Sequence, residues 1–344
     1  MGHRAGVTRH EVHGNDGRGW PASAHEAGRF LLGRLPECTP VDGLPTDGER
    51  YGYGDDQPVL ITPELVEPAP FRAIHVSDPA SVRGQSGFAA FLDGTQDLRV
   101  VSQVDGISIV WATVSAAIRA RVDRRLVSWP VRAPIVSGRF YIPFRYVLQL
   151  ESDLRDDPRV IDIGVADNSG NFPSRHPAKL MEAAVQSVQR ERERIEQELA
   201  EAWCASEKST LFIDGGITAS EVVASSPLAV GVVKSHRRLY AEGDAFRILV
   251  ALKAGERTSV FRVAPRSRHA VASWYVRLRQ ATGRDALFGL VRIEAALSHD
   301  ITSRADEISR WVMGEGAPLA LPDGRWDKMS YGIRHTEEFL RAIS

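Results

Sequence analysis

The pattern of apolar and polar positions changes character at Phe88. Before it, residues 1–85 are rich in Gly, Pro, Asp and His and show little periodicity, so they are expected to form an N-terminal extension, partly extended or acting as a dimerisation arm. Val59 to Phe71, with Pro63, Pro68 and Pro70, reads as an extended connector. From Phe88 the pattern predicts a folded domain over 86–344. Phe88–Asp93 is a short apolar strand and Leu98–Val104 a second one. Asp105-Gly106 is a hairpin turn signal that leads into Ile107–Val114. Together they predict a three-stranded antiparallel meander whose first strand ends at Asp93. Residues 118–175, broken by Pro130, Pro134 and Pro143, read as an insertion of short helices and loops.

A long helix is predicted from Pro177 to Trp203. Proline suits its first turn, and Met181, Ala184, Val185, Val188, Ile195, Leu199 and Ala202 recur at the 3–4 spacing of a helix packed on a sheet. Ser209–Asp214 and Leu228–Lys234 are buried strands with a short helix between them. Phe246–Leu252 and Ser259–Ala264 read as a hairpin around Gly255, and Ala272–Leu278 and Ala286–Ala295 as further strands. Helices over Ile301–Met313 and Tyr331–Ile343 close the chain. The fold class expected is α/β, a mixed central sheet flanked by helices.

Composition narrows the partners. The net charge of −1 gives no global field for a polyanion, so a nucleic-acid binder must segregate its basic residues. Arg119, Arg121, Arg124 and Arg125, then His236, Arg237 and Arg238, and Arg266, Arg268 and His269 are the local clusters. Two cysteines, Cys38 and Cys204, supply neither a disulfide framework nor a zinc ligand set, which points to a reducing cytoplasm. No apolar run reaches the ~18–20 residues that cross a bilayer, and the first twenty residues carry no apolar signal region, so no membrane association is expected. His3, His10, His13 and His25 match no standard ligand spacing.

The chemistry lies in two strands that run into Asp-Gly: Leu92-Asp93-Gly94-Thr95 and Ile213-Asp214-Gly215-Gly216. Either pair alone reads as an ordinary turn. A carboxylate directly after an apolar strand is held by a rigid element, and a neighbouring glycine lets a ligand approach closely. Two such carboxylates on neighbouring strands can share hard divalent ions such as Mg2+ or Mn2+, which activate water at a phosphodiester. The element order, meander then long helix then strand ending in Asp, is that of a ribonuclease-H-like core, in which a glutamate of the long helix joins the aspartates. Periodicity selects Glu191, three residues after Val188 and four before Ile195, with Glu193 as second choice; Glu182, Glu193 and Glu196 fall off the apolar face.

Four segments in order resemble the NurA family of nucleases: Phe91-Leu-Asp-Gly-Thr95, Leu211-Phe-Ile-Asp-Gly-Gly216, Ala229-Val-Gly-Val-Val-Lys234 and Ser330-Tyr-Gly-Ile-Arg-His335. The resemblance covers about three quarters of the chain, from about residue 88 to the end. It implies that Asp93, Glu191 and Asp214 are acidic ligands of a two-metal Mn2+ or Mg2+ site, and that His335 is a ligand or acid–base group. It implies further that Lys234 holds a phosphate and that Tyr240 is an active-site tyrosine. It also implies a homodimer that acts on DNA with a HerA-type hexameric ATPase, in end processing or anti-phage defence. The chain departs from the family at Gly332, where a proline is expected. No Walker A sequence is present, so the motor must be another chain. Two other readings stand beside this one: a non-catalytic ribonuclease-H-like adaptor of a DNA-translocating ATPase, and an actin-like or sugar-kinase-like phosphotransferase.

Overall fold

A computed structural model describes residues 19–35, 37–40, 58–123, 125–167, 170–282, 284–316 and 326–344. His3, His10, His13 and Arg124 lie outside the described residues.

The predicted meander takes a different form. Phe88–Val104 is one continuous strand, β5, so Asp93 and Gly94 stand in mid-strand and not at a strand end. The reason is the partner. Strand β6, Ile107–Val122, pairs with β5 from Ala90↔Ala120 through Asp93↔Ala117 and Gly94↔Ala116 to Val104↔Ile107, with one irregularity near Val100. A ladder that long carries Asp-Gly straight through. The turn between them is at Asp105-Gly106, with φ of 49° and 74°, as the type I′ hairpin requires. The third strand comes from the stretch expected to be an insertion. β8, Ile135–Ile142, is antiparallel to β6, and the short β9, Val160–Asp162, is parallel to β8. β7, Arg125–Ser128, folds back on the end of β6.

On the other side of β5 the sheet turns parallel. β10, Thr210–Asp214, pairs parallel to β5, and β11, Ala229–Val233, pairs parallel to β10. The sheet continues antiparallel through β16, Leu290–Ala295, β15, Val271–Arg277, and β14, Phe261–Val263. Asp244–Ala251 is a helix and not the first arm of a hairpin. Its apolar Ala245 and Leu249 are buried at helical spacing, and the short β13, Glu256–Thr258, follows it.

The segment before Phe88 joins this sheet. β1, Thr39–Pro40, pairs with the far end of β5; β3, Glu64–Leu65, with β14; and β4, Ala73–His75, with β13, while β2, Val59–Leu60, forms a separate two-stranded sheet with β12, Arg238–Leu239. A buried ion network ties it down. Arg257 donates to both carboxylate oxygens of Glu67, at 3.0 and 2.8 Å, and to Asp306 at 2.5 Å. Glu67 also accepts from the Val260 N–H.

Alternation along β5 and β10 divides the core into two faces. Ala90, Leu92, Leu211 and Ile213 face the long helix α3, Pro177–Ser206, through its Ala184, Val185, Val188, Ile195 and Leu199. Phe88, Phe91, Phe212 and Val232 face α6, Ile301–Gly314, and α7, Tyr331–Ile343. At the hairpin end of β5 and β6, α1, Ala24–Leu32, covers Val101, Ile109 and Trp111. Two short helices, α2 at Ser152–Arg155 and α4 at Glu221–Ser225, lie between α1 and α5, the helix at Asp244–Ala251. Among the described residues no helix is long and apolar enough to cross a membrane.

Candidate active site

The register of β5 and β10 places the two aspartates side by side. Phe212 pairs with Phe91 and Ile213 with Leu92, so the next pair along the parallel ladder is Asp214 beside Asp93. Neighbouring strands are about 4.8 Å apart. β10 stops there, while β5 runs on. Beyond Asp93, β10 no longer flanks β5, and a groove opens along that side. The groove has a volume of about 970 Å3. Its floor is Asp93, Thr95, Asp97, Arg99, Trp111 and Thr113 from the sheet. One wall is the start of α1, Ala22 to His25, and the other is the end of α7, with Glu337, Arg341 and Ser344. The Oγ atoms of Thr95, Ser115 and Ser344 form a chain at 2.8 and 2.7 Å that pins the end of α7 to the sheet.

Asp93 is only 9% exposed, and its Oδ1 accepts from the Gly94 N–H at 2.8 Å. Its pKa is raised well above the ordinary carboxylate range, first by burial, then by the charge of Asp214, with Glu196 and Glu337 adding; Lys234 opposes the shift. Lys234, just past the end of β11, donates to Asp214 Oδ2 at 2.8 Å.

The helix carboxylate that reaches this cluster is Glu196. It lies directly over Gly94, where a Cβ would collide with its carboxylate. Its pKa is pushed up to about 7, mainly by burial, with Arg192 opposing and Asp214 and Glu193 adding. Glu191 points elsewhere. It bonds Arg139 of β8 and Arg194, each at 2.9 Å. Five residues along a helix turn about 140° around its axis, so Glu191 and Glu196 serve different strands. Apolar phase alone selects the residue beneath β8, because the point where β10 ends is not visible in the helix pattern. The signal that points to Glu196 is Gly94, since a glycine in mid-strand marks a close approach.

The last helix contributes Glu337, not His335. Glu337 lines the groove and Arg341 bonds it at 2.6 Å. His335, about 200° around the helix axis from Glu337, lies beside Arg119; burial and that charge lower its pKa, and its Nδ1 is buried without a hydrogen-bond partner. Tyr240 belongs to the core: it stacks on Phe261 at 5.6 Å, and its N–H donates to the Tyr275 hydroxyl at 2.9 Å. The departure at Gly332 has a steric cause, since any Cβ there would enter the Phe91 ring.

The groove thus joins Asp93, Asp214 and Glu337 with Lys234, Arg192 and Arg341, and the charge of Glu196 acts on Asp93 from α3. Among the described residues, no three His, Cys, Asp or Glu side chains converge closely enough to hold a metal ion in this conformation. The chemistry of the donors nevertheless fits a hard divalent cation. They are oxygen ligands, buried, and so crowded that two of them resist ionising. Rotation of the side chains would have to complete the ligation. No protein-family model matches the chain, and no curated protein matches it significantly.

Proposed function

We propose that the groove hydrolyses phosphodiester bonds of DNA with divalent ions, Mn2+ or Mg2+, held by Asp93, Asp214 and Glu196. The observation that carries this reading is the adjacent register of Asp93 and Asp214 on parallel strands with Glu196 over Gly94. A buried group of carboxylates with raised pKa values is unfavourable unless a cation is taken up, and perturbed groups in a cleft mark functional sites. When bound, the ions would supply an activated water and neutralise charge on the leaving oxygen. Asp93 and Asp214 are positioned by the two core strands, so their spacing is preset. Lys234 and Arg192 supply positive charge for the non-bridging phosphate oxygens. Arg341, paired with Glu337, sets the opposite wall.

The strand order supports a ribonuclease-H-like core: β8, β6 and β5 antiparallel, then β10 and β11 parallel to β5, with α3 entering between β9 and β10. On that basis, and on the sequence motifs, the chain is read as a NurA-like nuclease that works as a homodimer with a HerA-type ATPase in DNA end processing or defence. The test is digestion of linear DNA by the purified protein with Mn2+, Mg2+ or EDTA. Metal-dependent release of nucleotides that vanishes in Asp214→Asn is the expected result. Undiminished release in EDTA refutes the metal mechanism, and no release with either ion refutes the nuclease reading.

A further inference from the structure

The loop that leaves β10 rests on a buried acid that does not line the groove. Asp214 is the last residue of β10 and pairs with Val232. Two glycines follow, and neither has a side chain to restrain the path of the chain. Gly215 has a φ of 131°, and its N–H donates to the Val232 carbonyl at 3.1 Å. The loop then folds back over β11, where a Cβ on Gly231 would come within 2.7 Å of the Gly215 carbonyl oxygen. It reaches Glu294 of β16, which stands opposite Gly231 in the ladder and is 1% exposed. Glu294 Oε2 accepts from the Ile217 N–H at 2.9 Å, and a Cβ on Gly216 would meet the same oxygen at 2.9 Å. Arg292 donates to Oε1 at 2.6 Å, and its guanidinium lies 5.2 Å from the centre of the Tyr240 ring. A buried carboxylate is costly unless it is paired and hydrogen-bonded, and Glu294 meets both conditions. A charged acceptor holds an N–H roughly twice as strongly as a neutral one, so the loop is gripped firmly at Ile217.

We infer that Glu294 is a positioning residue for Asp214: its grip on the Ile217 N–H fixes the Gly215-Gly216 turn, and the turn fixes the direction of the Asp214 carboxylate. The inference rests on the metal-dependent reading of the groove for what Asp214 does. Register with β5 and β11 sets where Asp214 stands, and the loop beyond sets how the residue leaves the sheet. Tyr240, which the family resemblance places in the site, takes part at one remove, as the ring on which Arg292 lies. Residues that orient a metal ligand from behind typically change metal affinity by about 10–100-fold.

The experiment reads Mn2+ uptake by the full chain in isothermal titration calorimetry, with circular dichroism to follow folding. Glu294→Ala is expected to weaken Mn2+ binding by about tenfold or more. Glu294→Gln, which keeps an acceptor for the Ile217 N–H, should lose less. Gly216→Ala keeps every charge and displaces Oε2, so it should weaken binding as well. Glu67→Ala breaks a buried ion pair that lines no part of the groove, and should lower stability while leaving Mn2+ affinity unchanged. The Mn2+ concentration for half-maximal cutting should rise in step with the calorimetric loss, with KM for DNA unchanged. Wild-type Mn2+ affinity in Glu294→Ala overturns the proposal. So does a loss confined to the Glu294 variants with Gly216→Ala unaffected, which makes the effect one of charge alone. An equal loss in Glu67→Ala also overturns it, since any destabilised fold would then behave alike. If Glu294→Ala does not fold, Glu294→Gln and Gly216→Ala carry the same test. A wild type that takes up Mn2+ and shows these losses but cuts no DNA refutes the nuclease reading and leaves the positioning role standing. A wild type that takes up no Mn2+ overturns both.

Discussion

Glu196→Gln is expected to make the ion-free protein more stable while removing its nuclease activity. The Glu196 carboxyl has its pKa raised from an ordinary 4.5 to about 7, so the folded state resists its ionisation. At pH 4 it is protonated whether the chain is folded or not, and it costs nothing. As pH rises past 4.5, the unfolded chain ionises first and the native state loses relative stability, until the full penalty is reached above about pH 7. At about 1.4 kcal/mol for each pH unit between those two values, the ceiling is on the order of 3 kcal/mol. The opposing charge of Arg192, 3.6 Å away, is already contained in that value, and relaxation of the folded state around the carboxylate reduces the effect to about 1–2 kcal/mol. For a chain of 344 residues that corresponds to about 1–3 °C in Tm. Glutamine keeps the shape and removes the charge. Thermal unfolding in EDTA should therefore show the variant above wild type at pH 8 and level with it at pH 4. Adding Mn2+ should then reverse the order, because the ion stabilises only the form that binds it. A variant less stable than wild type at pH 8, or a gain of equal size at both pH values, would refute the assignment of Glu196 to a crowded, cation-seeking cluster.

Other outcomes follow from the same geometry. Asp93→Asn and Asp214→Asn should each abolish Mn2+-dependent nucleotide release with circular dichroism unchanged, and the double variant should lose little more than either, since the two act as one unit. Glu191→Gln should cut DNA at the wild-type rate, because its carboxylate is taken up by Arg139 and Arg194; a dead enzyme here would return the ligand role to it. Gly94→Ala should lose Mn2+ stabilisation in a thermal-shift assay, as its methyl group displaces the Glu196 carboxylate. Glu67→Ala should cost about 3–5 kcal/mol in urea unfolding by leaving Arg257 buried with half its partners gone.

The chemistry of the site was legible in the sequence where an apolar run carried a carboxylate. Leu211–Asp214 had to be a buried strand ending in an acid, and the pattern of Phe88–Asp93 placed a second acid on an apolar strand. Pro177 and the spacing from Met181 to Leu199 determined the long helix within a few residues of its end. What the pattern could not decide was where each strand stops. Asp93-Gly94-Thr95 looks like a turn when read alone. It becomes mid-strand only because β6 supplies a partner for every residue across it, and pairing between segments is a property of the fold and not of either segment. The same holds for Asp244–Ala251, a short apolar run that fits a strand or a helix until burial of Ala245 and Leu249 on one side selects the helix. Periodicity likewise located the buried stripe of α3 but not which end of the sheet each turn overlies. Glu191 and Glu196 flank that stripe, and only the early end of β10 beside the bare Gly94 gives one of them access to the aspartates. Local spacing thus determined the elements and the types of acid available. Their meeting point depended on register and strand length, which are set by contacts distant in sequence.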